Sequence, residues 1–238
     1  MVYGIVLAGG KGIRMGAEIP KQFLKLKNKP ILIWSVDVFL NSGLFDKVYL
    51  TINKNWTEYT TKLLKEYYSP QELEKVEIYI NKSQNRTLSL SEAVDEIVKT
   101  NGINPDDIVI SHDAVRPFVS YKVLQDCISQ VQEYQVAMAA IPCIETLYLS
   151  DLDGYLTKNQ DRTACYSGQS PHGCKLKLLY QIFHSCSIEK LTTVTAISQL
   201  FIDNNINVKI SYGEKINFKI TTPTDLAFAE FCAVNEFV

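Results

Sequence analysis

No two of the six cysteines in this 238-residue chain are spaced C-x-x-C. Cys127, Cys143, Cys165, Cys174, Cys186 and Cys232 are scattered, which argues against a zinc site and against a small disulfide scaffold. They read as buried or half-buried thiols of a reducing compartment. No apolar run approaches the roughly 20 residues of a membrane-spanning helix, so no membrane partner is expected. No basic segment precedes the first apolar stretch, Val2 to Ala8. A signal peptide is therefore not expected, and a cytoplasmic location is. The formal charge is −2, which leaves no global basic field to draw nucleic acid. An anionic ligand must be held by local cations. There is no internal repeat and no low-complexity segment.

What is present is an ordinary globular composition, 46% hydrophobic, with a length that suits one large domain over residues 1–238. Strand-like and helix-like stretches alternate. Val2–Ala8, Lys47–Ile52, Val76–Ile80, Ile108–Ser111 and Val136–Ile141 are short and β-compatible. Ile31–Leu40, Tyr59–Tyr68, Ser89–Val98 and Tyr121–Tyr134 read as helices; Leu90, Ala93 and Ile97, for example, share one face. The alternation predicts an α/β fold with a mostly parallel sheet. Ligands in such sheets bind at the strand C-terminal edge, so the informative loops follow Ala8, Ile80 and Ser111. Residues 142–162 break the pattern. Tyr148-Leu149-Ser150 and Tyr155-Leu156 flank an Asp153-Gly154 turn signal, which predicts a projecting β-arm. We expect this arm to supply a dimer contact.

The loop Leu7-Ala8-Gly9-Gly10-Lys11-Gly12-Ile13-Arg14-Met15 follows the first strand. Glycines tolerate positive φ and close approach, so successive N–H groups can face phosphate oxygens. Lys11, Arg14 and Lys21 are the nearby cations. A P-loop is excluded because Gly12, not Ser or Thr, follows Lys11. A dinucleotide fingerprint is excluded because Met15 stands where its last glycine belongs. Alone, such a turn can also be purely structural. Asp113 follows the strand Ile108–Ser111, at its C-terminal end, and is placed to hold Mg²⁺, an ion that prefers oxygen ligands and substrate phosphates. It can equally form a turn, and Arg116 can be a structural ion-pair partner.

L-A-G-G-x-G-x-R-M-G followed by Pro20-Lys21-Gln22-Phe23-Leu24 resembles the cytidylyltransferases that activate polyol phosphates with CTP. The ribitol 5-phosphate and 2-C-methyl-D-erythritol 4-phosphate enzymes are its best-known members. The resemblance runs from residue 2 to about residue 230. It takes in His112-Asp113-Ala114-Val115-Arg116-Pro117-Phe118, Gln169-Ser170-Pro171 and Lys219-Ile220-Thr221-Thr222-Pro223-Thr224-Asp225-Leu226. It implies a Rossmann-like nucleotidyltransferase domain that moves CMP from CTP to a polyol phosphate and releases pyrophosphate. It implies CTP contacts from Leu7, Ala8, Gly9, Gly10, Lys11, Gly12, Arg14, Lys21, Ser83, Arg86, Ser89, His112, Asp113 and Ala114. Arg14, Lys21, Arg162 and Lys219 are the implied catalytic cations. Arg116, Thr146, Arg162 and Lys219 would bind the acceptor, Arg116 and Thr146 by reaching the neighbouring subunit's substrate. Mg²⁺ on Asp113 and a homodimer complete the implied set.

Several positions depart from the family. Lys82 and Ser83 replace two glycines of the base-binding segment, His172 follows Pro171 in place of glutamine, and Thr195-Ala196 stands for Thr-Asp. Ile216 replaces an aspartate that binds acceptor hydroxyls in the methylerythritol enzymes, which favours D-ribitol 5-phosphate as the expected acceptor. Its product would serve teichoic acid or capsule synthesis. The alternatives are the methylerythritol-phosphate enzyme of isoprenoid synthesis, an enzyme for another glycan polyol phosphate, and a non-catalytic nucleotide-binding module. The intact Arg14, Lys21, Asp113, Arg162 and Lys219 argue against the last.

Overall fold

The computed structural model describes residues 1–10, 19–83, 85–235 and 237. In chain order its elements begin with β1 (Val2–Leu7), the short strands β2 (Lys25–Leu26) and β3 (Lys29–Pro30), and α1 (Ile31–Asn41). Next come β4 (Lys47–Asn53), α2 (Thr57–Tyr67), α3 (Pro70–Leu73), β5 (Val76–Asn81) and α4 (Arg86–Asn101). The middle of the chain gives β6 (Ile108–Asp113), α5 (Tyr121–Tyr134), β7 (Val136–Pro142), β8 (Tyr148–Ser150) and β9 (Leu156–Asn159). The last part gives β10 (Tyr166–Lys175), α6 (Leu176–Ser185), α7 (Ile188–Thr193), α8 (Ser198–Asp203), β11 (Lys209–Tyr212) and α9 (Pro223–Val234).

Seven strands form the central sheet in the order β11-β7-β10-β6-β1-β4-β5. Four of its six pairings are parallel. β10 is the exception, antiparallel to both β6 and β7. β1 is buried on both faces, so it reads as a near-continuous apolar run. Its alternate residues divide between two cores. Val6 packs with Leu32, Val36 and Phe39 of α1 and Val123, Cys127 and Val131 of α5. Tyr3 and Ile5 pack on the other side with Leu90, Ala93 and Ile97 of α4 and Leu179 and Phe183 of α6. The result is a helix–sheet–helix sandwich of the Rossmann-like kind.

Register brings the strand ends together. Leu7 pairs with Thr51 on one side and Asp113 on the other, while Asn53 pairs with Asn81. Because β10 runs the opposite way, its opening residues come to this same edge. The predicted α4 gains a turn at its start because the Asn85 side chain accepts from the N–H groups of Thr87 (2.8 Å) and Leu88 (3.1 Å).

β8 and β9 pair only with each other, Tyr148 opposite Asn159 and Leu149 opposite Lys158. At the tip, Asp151 Oδ1 accepts from the N–H groups of Asp153 and Tyr155, and Gly154 sits at φ 87°, the left-handed region open to glycine. Leu152, Tyr155 and Leu156 on this hairpin are exposed. No helix among the described residues is long and apolar enough to cross a membrane.

Candidate active site

Asp113 lies at the end of β6 with its side chain 10% exposed. Arg86, the first residue of α4, donates from Nε to Asp113 Oδ1 at 2.9 Å. Lys219 donates from Nζ to Oδ2 at 2.9 Å. Arg116 Nε is 3.7 Å from the same Oδ2. Burial alone would raise the Asp113 pKa; the charges of Arg86 and Lys219 override it and hold the carboxyl well below the usual range. Three cations around one carboxylate leave the spot electropositive, which suits a phosphate-bearing ligand.

A closed hydrogen-bond ring fixes this cluster. The Asp113 N–H donates to Ser170 Oγ at 3.0 Å, and Ser170 Oγ lies 3.0 Å from His112 Nδ1. His112 Nε2 lies 3.0 Å from the Arg116 carbonyl. A carbonyl only accepts, so Nε2 carries the proton and Ser170 donates to Nδ1. Arg116 Nη1 donates to the Asn217 carbonyl at 2.8 Å. Asn217 Nδ2 then donates back to the Ser170 carbonyl at 2.7 Å and to Gln169 Oε1 at 3.2 Å. Burial pushes the His112 pKa down to about 4, so the ring stays neutral. His112 is 0% exposed. The side chain works as a brace for the cluster. Ala114, also 0% exposed, likewise belongs to the scaffold, its N–H bound to the Leu7 carbonyl at 3.1 Å.

Of the glycine loop, Leu7, Ala8, Gly9 and Gly10 are described; Lys11, Gly12 and Arg14 lie outside the described residues. Gly9 and Gly10 do not take positive φ. The lack of a side chain at Gly9 instead lets the Asn81 amide lie close against the loop. Gln22, not anticipated as a site residue, is buried and donates from Nε2 to the carbonyls of Ala8 (2.7 Å) and Gly10 (3.1 Å). It orients the loop. Lys21 donates from Nζ to the Ile220 carbonyl at 2.8 Å, so the two lysines Lys21 and Lys219 converge beside Ile220. Lys82 and Ser83 are also outside the positive-φ set, so side chains there are tolerated without strain. Ser89 Oγ donates to the Ser83 carbonyl at 3.1 Å and shapes that segment.

A cavity of about 440 Å³ opens beside the cluster, lined by Arg86, Asp113, Arg116, Lys219, His172 and Thr195 among others. Burial, then Arg86, pushes the His172 pKa down to about 3. The wall thus combines fixed cations with a neutral imidazole. Thr146 and Arg162 are not brought to this cavity. Both are exposed on the hairpin, where Arg162 Nη1 donates to the Ile144 carbonyl at 3.3 Å. Asp113 is the carboxylate that would hold Mg²⁺, an ion bound through one or two carboxylates and the substrate's phosphates. Both of its oxygens are engaged by cations, and no group of three or more His, Cys, Asp or Glu side chains suited to a metal occurs among the described residues. A single carboxylate of this kind would hold the ion only together with ligand phosphates and water.

The family model for IspD, 2-C-methyl-D-erythritol 4-phosphate cytidylyltransferase, matches residues 2–235. The chain belongs to the IspD family. Solved structures agree on the fold. The 4-diphosphocytidyl-2C-methyl-D-erythritol synthase of Anaerococcus prevotii has a TM-score of 0.80 at 24% identity, covering 97% of this chain and 95% of that one. The Francisella tularensis IspD gives 0.76 at 29% identity, with 97% and 98% covered. The Thermus thermophilus enzyme gives 0.72 at 21%, again with 97% and 98% covered. This IspD-family chain is an enzyme, a cytidylyltransferase.

The expected preference for ribitol phosphate finds no support in these comparisons, and its main sequence ground also falls away. Ile216 does not line the cavity; it packs half-buried against the cluster of Leu26, Ile31, Val115, Phe118 and Ile220. An isoleucine there is accounted for by packing.

Proposed function

We propose that this IspD-family enzyme transfers CMP from CTP to 2-C-methyl-D-erythritol 4-phosphate, releasing pyrophosphate. The observation that carries the reading is the family match over residues 2–235, taken with a cation-lined cavity of ligand size at the sheet edge.

The acceptor phosphate is already an anion at neutral pH, so attack on the α-phosphorus needs no strong base. The work is positioning and charge stabilisation. Lys219 and Arg86 exchange part of their hold on Asp113 for ligand phosphate oxygens, and Asp113 keeps their head groups aimed when the site is empty. Lys21, anchored at Ile220, stabilises charge on the α-phosphate and the leaving pyrophosphate, a role shared with Arg14. The backbone N–H groups of Gly9 and Gly10 face the triphosphate, and Gln22 holds these residues in place through the Ala8 and Gly10 carbonyls. Ser83, Arg86 and Ser89 frame the cytosine side. The hairpin packs on a second copy of the chain and carries Thr146 and Arg162 to that copy's acceptor, while Arg116 stays in its own subunit, tied to Asn217.

The test is pyrophosphate release from CTP and Mg²⁺ with each acceptor in turn. Turnover with methylerythritol phosphate and none with ribitol 5-phosphate supports the proposal. The reverse pattern replaces it with the ribitol reading. CTP binding without turnover on any polyol phosphate rejects the acceptor class.

A further inference from the structure

The hairpin joins the sheet through two strands flanked by cysteines, Cys143 just after β7 and Cys165 just before β10. β7 and β10 pair Pro142 with Tyr166 and Ile141 with Ser167, and continuing that antiparallel register by one residue sets Cys143 opposite Cys165. The rung exists: the Cys143 N–H donates to the Cys165 carbonyl at 3.0 Å. Directly opposed residues point their side chains to the same face, and in a hydrogen-bonded pair such as this one the Cα atoms lie about 5.5 Å apart, inside the roughly 4.4–6.8 Å that a disulfide spans. A disulfide needs about 3.5–4.5 Å between Cβ atoms. The small approach required is available here, because the rung is the last of the ladder and is bonded on one side only. The Cys165 N–H turns away to the Arg162 carbonyl at 3.1 Å. Both thiols are free and partly exposed, unlike Cys127, Cys174 and Cys232, which are buried. Burial pushes the Cys127 thiol up to about 12 and raises those of Cys174 and Cys232 as well, which leaves these three as poor nucleophiles.

We propose that Cys143 and Cys165 form a covalent modification site, an intrachain disulfide that clamps the root of the hairpin. Beyond this rung the two legs are exposed and held mainly by each other. Thr146 and Arg162 stand on opposite legs, each three positions from its cysteine. A bond at the root fixes both legs at once.

The oxidant is a small-molecule disulfide such as glutathione disulfide. One cysteine thiolate attacks it, giving a mixed disulfide and one glutathione thiolate. The facing cysteine, as thiolate, then displaces the second glutathione. Two protein thiols are oxidised, one external disulfide is reduced to two thiols, and the protons pass to solvent and the departing thiolates.

The full chain is incubated with glutathione disulfide, unfolded with excess alkylating agent, digested and mapped by mass spectrometry. The expected product is a linked peptide pair containing Cys143 and Cys165 and lacking two hydrogens, with Cys127, Cys174 and Cys232 recovered alkylated. In Cys143→Ser the linked pair is absent and Cys165 carries glutathione instead. Hydrogen exchange over residues 147–160 slows in the oxidised chain and recovers on reduction. Recovery of Cys143 and Cys165 as separate alkylated or glutathione-bearing peptides in the parent chain overturns the site. A linked pair with unchanged exchange overturns the clamp.

Discussion

Lys219 Nζ and Asp113 Oδ2 meet at 2.9 Å although 106 positions separate them in the chain. The contact ties the loop before α9 to the end of β6, and it aims a cation at the cavity. Lys219→Ala removes that cation but leaves Asp113 paired with Arg86, so the fold survives. A preorganised charge donor is worth on the order of 3–4 kcal/mol in the barrier. We therefore expect kcat to fall at least about a hundredfold, with unchanged circular dichroism. Lys21→Ala should behave alike. Near-normal turnover by either variant contradicts the assigned role.

Ser170 accepts from the Asp113 N–H and donates to His112. Ser170→Ala leaves both groups buried without a partner, a loss of about 1–3 kcal/mol. A urea titration should show a lower midpoint with the slope unchanged. An unaltered midpoint would mean that the ring of bonds around Asp113 is not a structural brace.

Acidification should weaken the fold through the buried histidines. His112 titrates near 4 when folded against 6.5 for an ordinary histidine, and His172 is lowered in the same sense. A depressed pKa means that the unfolded chain binds the proton more readily. The stability contributed is full above pH 6.5 and is lost as pH falls from there toward 4. The slope is at most about 1.4 kcal/mol per pH unit for each histidine. Asp113 adds nothing in that window, since its contribution is lost only below the ordinary carboxylate value. Denaturation midpoints at pH 7 and pH 5 check this; equal midpoints refute it.

Much of the fold was legible in the sequence because its core strands are plain apolar runs. Lys47–Ile52, Val76–Ile80 and Tyr121–Tyr134 fall where periodicity puts them. β10 was not legible. Its sequence, Tyr-Ser-Gly-Gln-Ser-Pro-His-Gly-Cys-Lys, has no alternation, and its register shifts between Gly168 and His172. Its antiparallel entry is what brings Ser170 to Asp113. Motifs pointed to Arg86, Asp113, Arg116 and Lys219, yet only packing reveals that the one carboxylate gathers the three cations. Gln22 lies inside the Pro20-Lys21-Gln22-Phe23 motif, but its role is not legible there, because a buried amide bonding two loop carbonyls leaves no periodic trace. Ile216 misled because residue type suggests ligand contact where burial assigns packing.

The hairpin prediction is tested by mixing subunits. Arg162→Ala and Lys219→Ala are each expected to be nearly inactive alone. If Arg162 serves the neighbouring copy, a mixed dimer contains one intact site, so mixing after mild dissociation should restore part of the turnover. No recovery in a verified mixed dimer would place Arg162 at its own subunit's site.

The central claim is the identity of the acceptor, and the most direct measurement is kcat/KM for methylerythritol 4-phosphate and ribitol 5-phosphate, followed by pyrophosphate release with CTP. The account predicts turnover with the first and little or none with the second. Preferential turnover of ribitol 5-phosphate would contradict it.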